Sequence, residues 1–345
     1  MACHRPLYGY VSRTVNPSGK RSTVWNAREG YYDLPRTLRC GKCDGCCLDW
    51  SASWAVRCIH EASLHENNIF LTLTYADEFL PEGGTLVKAD WQKFMKRLRK
   101  RYGAGARYFH CGEYGKKKGR PHYHALLFNF EFDDQVKWRK TRGGYQTFRS
   151  PSLEELWPFG HSEIGSVTFD SAAYVARYIL KKVRGPEAEA HYEGRIPEYL
   201  TMSRRPGIGK DWIRKHSADV YGRDVVVIPR EGGARMLRPP RYYDAHYEVE
   251  NPEGYANIRA ARRLKAREAA EKAGAERLGA LEKIAALNVS RQQRGYESEA
   301  QDVFGFRWED RGVHDPLLHA ACGAGDPVFR ADGERSGDGS VEVPG

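Results

Sequence analysis

The sequence predicts an α+β protein: an antiparallel sheet of split βαβ or ferredoxin-like type with helices on one face, preceded by a Cys-rich segment and followed by a helical extension. Three observations carry this. Residues 69–75 (IFLTLTY) alternate and are rich in β-branched and aromatic types, as a strand should be. Residues 107–111 and 122–129 read as two strands joined by the Lys/Gly-rich turn Gly115–Pro121, and so as a hairpin. Helical periodicity flanks these strands, which gives the order strand, helix, strand, strand, strand, helix.

Before the first strand, residues 1–47 are rich in Gly, Pro, Ser, Arg and Cys without a sustained period, and are expected to form loops wrapped on the core or held by a metal. From Leu48 to about Glu66, Ala55, Ile59 and Ala62 share one helical face, and Asn67 and Asn68 end the helix. Over residues 87–102, Trp91, Phe94, Leu98 and Tyr102 make an apolar stripe. Lys93, Lys96, Arg97, Lys100 and Arg101 coat the rest, so this is an amphipathic basic helix. After a loop containing Trp157 and Pro158, a short strand at 167–169 is expected to run into Asp170 and Ser171, good N-caps, and a helix to about Val183.

Residues 186–250 mix Pro, Gly, Tyr and Arg around one apolar run at Val225–Ile228 and suggest no function. Residues 255–289 look helical and charged, and the Gly- and Asp-rich stretch from Cys322 onward is expected to be disordered. The expected divisions are a Cys-rich segment and helix (1–66), a core (67–185), an accessory region (186–254), a helical extension (255–320) and a tail (321–345).

The chain has 345 residues and 41% hydrophobic content, enough for one sizeable domain with appendages. Its net charge is +10, and residues 88–120 hold twelve Lys and Arg against Asp90 and Glu113. Such a field attracts a polyanion and makes its binding salt-sensitive. No window approaches the ~20 apolar residues of a membrane span, and residues 1–10 lack the apolar core of a signal peptide, so a cytoplasmic, membrane-free protein is expected. Of the eight cysteines, four crowd between Cys40 and Cys47, where metal binding or reduced thiols fit better than disulfides.

His122 and His124 are two apart on a strand, so both point to one face, where two imidazoles can bind one cation. His-x-His alone is weak, since half-buried strands often carry histidine. Glu113 strengthens it, because it lies just past the end of the partner strand, where its carboxylate can add an oxygen ligand. Such a set leaves coordination positions for water and a phosphate oxygen. Tyr174 and Tyr178 lie four apart on the last helix, about 40° around its axis, and Lys181 shares that face. An aromatic stripe packed on the sheet is the plainer reading. Lysine argues against it, being costly to bury unpaired, and a phenol of pKa ~10 needs nearby positive charge to attack phosphorus.

The segments IFLTLTYADEFLP, RYFHCGEYGKKKGRPHYHALLF and SAAYVARYILKK resemble, in order, the three motifs of the HUH endonuclease superfamily. They are most similar to the replication initiators of the Microviridae, small single-stranded DNA phages. The N-terminal CGKCDGC followed by WAVRCIHEASLHENN looks like the gokushovirus branch. The resemblance covers roughly residues 30–185 and gives no help beyond. It implies Mg²⁺ or Mn²⁺ held by His122, His124 and Glu113, with the tyrosine pair and following lysine at Tyr174, Tyr178 and Lys181. One departure is Tyr123, where an aliphatic residue is more usual, and it should point to the opposite face. The implied reaction is attack of a tyrosine on an origin phosphate, which joins the protein to the 5′ end and frees a 3′ hydroxyl. Implied partners are single-stranded or locally melted origin DNA and the helicase and polymerase of a bacterial host.

Candidate DNA contacts are Lys93, Lys96, Arg97 and Lys100 of the basic helix and Lys116, Lys117, Lys118 and Arg120 of the turn, with Trp91 and Tyr108 as groove aromatics. Core packing is the stronger reading for Trp91. Cys40, Cys43 and Cys46 form C-x₂-C-x₂-C, a spacing that suits Zn²⁺, with Cys3 as fourth ligand and Cys47 as substitute if Cys46 points away. Cys58 and Cys111 read as buried thiols. Two other functions compete: a non-catalytic, zinc-stapled DNA-binding protein acting as repressor or packaging factor, and a metal-dependent phosphodiesterase that uses water. The first leaves the ordered histidines, tyrosines and lysine unexplained.

Overall fold

The computed structural model describes residues 3–115, 119–141, 144–177, 182–183, 186–230, 233–272 and 274–291. The chain opens with strands β1 (Leu7–Ser12), β2 (Thr23–Val24) and β3 (Gly30–Leu38), which form a small antiparallel sheet with β1 in the middle. This replaces the loops expected for residues 1–47. Helix α1 (Asp44–Ala62) follows, then β4 (Asn68–Tyr75), α2 (Lys88–Tyr102), β5 (Arg107–Tyr114) and β6 (Pro121–Phe128). Next come β7 (Val136–Lys140), β8 (Gln146–Arg149), α3 (Pro151–Leu156), β9 (Gly160–Ser166) and α4 (Phe169–Arg177). The remainder comprises α5 (Glu187–Tyr192), β10 (Tyr199–Met202), α6 (Lys210–Arg223), β11 (Val226–Arg230), β12 (Gly233–Leu237), α7 (Arg241–Glu250), α8 (Pro252–Glu271) and α9 (Ala275–Arg291).

The main sheet has seven antiparallel strands in the order β10-β5-β6-β4-β9-β8-β7. The α+β class is the expected one, with the Cys cluster before the sheet and helices α8 and α9 after it. Helices, however, cover both faces rather than one. Strand β6 explains this, because Tyr123, Ala125 and Leu127 on one side and Leu126 and Phe128 on the other are all buried. A strand apolar on both sides needs cover on both. Helices α2 and α3 supply it on the first side through Trp91, Phe94, Leu98, Leu153 and Leu156. Helices α1 and α4 supply it on the second through Trp54, Ala55, Cys58, Ala172 and Val175.

Other boundaries shift for local reasons. The strand expected at 167–169 lies at Gly160–Ser166, and Thr168 rather than Asp170 or Ser171 caps α4. Thr168 Oγ1 accepts from the Ser171 amide at 3.1 Å while the Thr168 amide donates to Ser171 Oγ at 2.8 Å, a reciprocal capping box. Strand β10 pairs with β5, so the sheet draws on residues from both sides of position 185.

Helix α1 is the spine of the molecule. Its Ser51 hydroxyl donates to the Ala173 carbonyl at 2.8 Å, which ties it to α4. Its outer side carries Val56 into a second core with Ile213, Val220, Tyr221, Val226, Ile228 and Tyr243. Arg57 is buried between the rings of Trp54 and Tyr242, 4.0 and 3.8 Å away, and donates to the Ile208 carbonyl. Arg5, in the N-terminal segment, pairs with Glu282 of α9 at 2.6 Å. Among the described residues no helix is long and apolar enough to cross a membrane.

Candidate metal and nucleophile site

The hairpin register sets the site. Pairing of β5 with β6 places Glu113 opposite His122, and His124 follows two residues later on the same face. Glu113 Oε1 lies 2.6 Å from His122 Nε2 and 3.1 Å from His124 Nε2, with all three residues buried. The imidazoles stand nearly perpendicular, 5.0 Å apart. Their other nitrogens are held from behind: His122 Nδ1 donates to the Arg120 carbonyl at 3.0 Å, and His124 Nδ1 is 3.0 Å from the Thr72 hydroxyl.

This donor set fits a divalent cation. With Nδ1–H of His122 given to a carbonyl, its Nε2 presents a lone pair toward a carboxylate oxygen, and a shared cation resolves that opposition. Two ligands at right angles ~2.1 Å from one ion are ~3 Å apart, close to the separations seen.

Tyr174 is buried under the same face. Its ring stands edge-on to His124 with centroids 5.1 Å apart, and to Phe70 at 6.3 Å. The capping box and the Ser51 bond fix the start and middle of α4 and thereby this ring. Tyr178 and Lys181 lie outside the described residues.

The family of replication-associated proteins described under ORF2 matches residues 68–183, the span that carries this site. The replication-associated protein VP4 of Bdellovibrio phage phiMH2K is 39% identical over 281 residues, covering 79% of this chain and 85% of that one. The chain belongs to the Microviridae-type phage replication-associated proteins. The replication-associated protein ORF2 of Spiroplasma virus 4 is 35% identical over 72% of this chain and 81% of its own length. The replication-associated protein ORF4 of Chlamydia phage 1 is 34% identical over 52% of this chain and 48% of its own. No solved structure matches.

Within this phage replication-associated chain, the basic helix is not brought to the triad. Lys93, Lys96 and Lys100 are exposed, but α2 covers the sheet face opposite Glu113, His122 and His124. Arg97 has a structural partner, since its guanidinium donates twice to the Leu156 carbonyl, at 3.1 and 2.7 Å. Arg120 likewise holds the Tyr75 carbonyl and Asp77. Lys116, Lys117 and Lys118 lie outside the described residues. Trp91 is buried and stacks on His110 at 3.8 Å, and Tyr108 packs against it, so neither lines a groove on the triad side. Tyr123 points to that far face as expected. Its hydroxyl accepts from the Val87 amide at 2.9 Å and lies 2.8 Å from the Tyr75 hydroxyl, pinning the start of α2.

The cysteines gather. Pairing of Leu7 with Leu38 sets the start of β1 beside the end of β3, which brings Cys3 to Cys40. Cys43 caps α1 and Cys46 lies in its first turn. Sγ separations are 3.7 Å for Cys3–Cys40, 3.9 Å for Cys40–Cys46 and 3.9 Å for Cys3–Cys43. This group could hold a metal ion. Cys47 is not one of the four, and Cys58 and Cys111 are buried in the core. Sequence reasoning missed Thr72, the residue behind His124. Its signal was register: a hydroxyl on the strand beside the histidines.

Proposed function

We propose that this protein starts phage DNA replication by nicking one strand of its origin, with a tyrosine of α4 as nucleophile and Mg²⁺ or Mn²⁺ held by Glu113, His122 and His124. The observation that carries the reading is the Tyr174 ring set edge-on against His124, where two imidazoles and a carboxylate converge. When bound, such a cation draws charge from a phosphate oxygen and eases attack at phosphorus. The histidines and Glu113 hold the donor set, and Thr72 and the Arg120 carbonyl keep the rings turned.

Tyr174, or Tyr178 beyond it, attacks the scissile phosphate. The phenolic oxygen joins phosphorus, the bond to the 3′ oxygen breaks, and the released 3′ hydroxyl ends with the proton the phenol lost. Lys181 lends positive charge to this exchange. The protein stays joined to the 5′ end while host helicase and polymerase extend the 3′ end in the bacterial cytoplasm. The second tyrosine then cuts the regenerated origin, closing a single-stranded circle. His122→Ala or His124→Ala should abolish cutting of single-stranded origin DNA while most DNA binding persists. Full cutting by the double variant in chelator would remove the metal from this reading.

We further infer that Cys3, Cys40, Cys43 and Cys46 hold one structural Zn²⁺. Four sulfurs ~2.3 Å from a tetrahedral ion are ~3.8 Å apart, which is the spacing of these thiols. The ion would join the small N-terminal sheet to the start of α1, the helix that carries α4.

A further inference from the structure

Beyond the triad, on the same sheet face, lies a cleft of about 520 Å³ lined by Thr72, Thr74, Trp138, Arg139, Arg149, His161, Ser162 and Glu163. We propose that this cleft is the track for unpaired DNA next to the cutting site, with Trp138 as the platform on which a base stacks. This rests on the nicking reading above and names where its substrate runs.

Two independent observations support it. First, the cleft reaches the site itself. Thr72 lines it and also bonds His124, and Thr74 pairs with His122 on one side and His161 on the other. From β6 to β8 is three strand spacings, ~14 Å, the reach of a few extended nucleotides.

Second, the far wall has the chemistry of a nucleic-acid surface. Trp138 is 55% exposed, although an indole unneeded for DNA would be expected in the core. The Arg149 guanidinium lies 4.9 Å from its ring centroid, and exposed Lys137 and Lys140 stand on the same short strand. The acidic groups nearby are already paired, Glu163 with Arg139 at 3.2 Å and Glu154 with Arg149 at 2.7 Å. Cations that follow a backbone beside an aromatic face are how proteins hold single strands, and stacking needs a base whose face is open. Duplex hides its base faces and cannot use Trp138 this way.

The test is fluorescence anisotropy of the full chain with labelled oligo(dT) and with a duplex of equal length. Trp138→Ala should weaken oligo(dT) binding by roughly tenfold or more and leave duplex binding as it was, while Trp138→Phe regains most of the loss. Trp25→Ala, which removes another exposed tryptophan, should bind as wild type. Oligo(dT) affinity within about twofold of wild type in Trp138→Ala, or an equal loss for duplex, overturns the track. The nicking reading is scored separately by covalent adduct formation. Loss of affinity in Trp138→Ala with no adduct from wild type would sink the nicking reading and keep the cleft, and an adduct with unaltered affinity would do the reverse.

Discussion

Thr72→Val removes a hydroxyl from behind His124 while keeping a β-branched side chain of nearly the same shape on β4. The Thr72 oxygen is 3.0 Å from His124 Nδ1, and both residues are buried, so the ring loses a bond that orients it. Leaving one buried polar atom without that bond costs about 1–3 kcal/mol. Loss of a group behind a metal-binding histidine typically weakens metal affinity by about 10- to 100-fold. The assay is the rate of cutting of a single-stranded origin oligonucleotide as Mn²⁺ is raised. Thr72→Val should move the half-saturating Mn²⁺ concentration up by about that factor and recover much of the rate at saturation, and Thr72→Ser should restore the wild-type curve. A Thr72→Val curve that overlays wild type would refute the idea that Thr72 positions the metal-binding ring.

Purified protein should contain about one zinc per chain, and Cys43→Ser or strong chelation should lower its thermal midpoint because the ion contributes to folding; a fully folded, metal-free sample of equal stability contradicts the zinc site. Acid should destabilise the fold through two buried neutral histidines. Burial lowers the pKa of His60 to about 3 and that of His110 well below its ordinary value. The unfolded chain then takes up protons near pH 6.5 that the folded chain refuses, so stability falls as pH drops from there toward 3. The loss is ~1.4 kcal/mol per unit for each histidine, or roughly 5 kcal/mol for both by pH 4.5. Urea midpoints at pH 7 and 4.5 measure it, and equal midpoints would contradict the assignment.

The parts of the molecule that the sequence disclosed are those whose burial leaves a period. Strand β4 and helix α2 carry clean alternation and a clean stripe, and the β5–β6 turn is marked by its own glycines. Strand β7 (VKWRK) is almost wholly exposed at the sheet edge, so it has no buried face to reveal it. Strand β10 is four residues long and fits because Gly112 on β5 leaves room: a Cβ there would come within 2.8 Å of the Tyr199 ring. Two-sided cover of the sheet was hidden in β6, where histidines occupy two of the second-face positions and mask its apolar character. Within the site, spacing placed His122 and His124 together on one strand face. Thr72 and the Cys3–Cys40 approach depend on pairing between strands distant in sequence, which no local pattern carries.

The central claim is that a tyrosine of α4 becomes joined to DNA. Its most direct test is a denaturing gel of 3′-labelled single-stranded origin oligonucleotide mixed with wild type, Tyr174→Phe, Tyr178→Phe and the double variant. Wild type should shift the downstream fragment to the mass of protein plus DNA, each single variant should retain some shifted band, and the double variant should show none. An undiminished shifted band from the Tyr174→Phe, Tyr178→Phe double variant would contradict the account and place the nucleophile elsewhere in the chain.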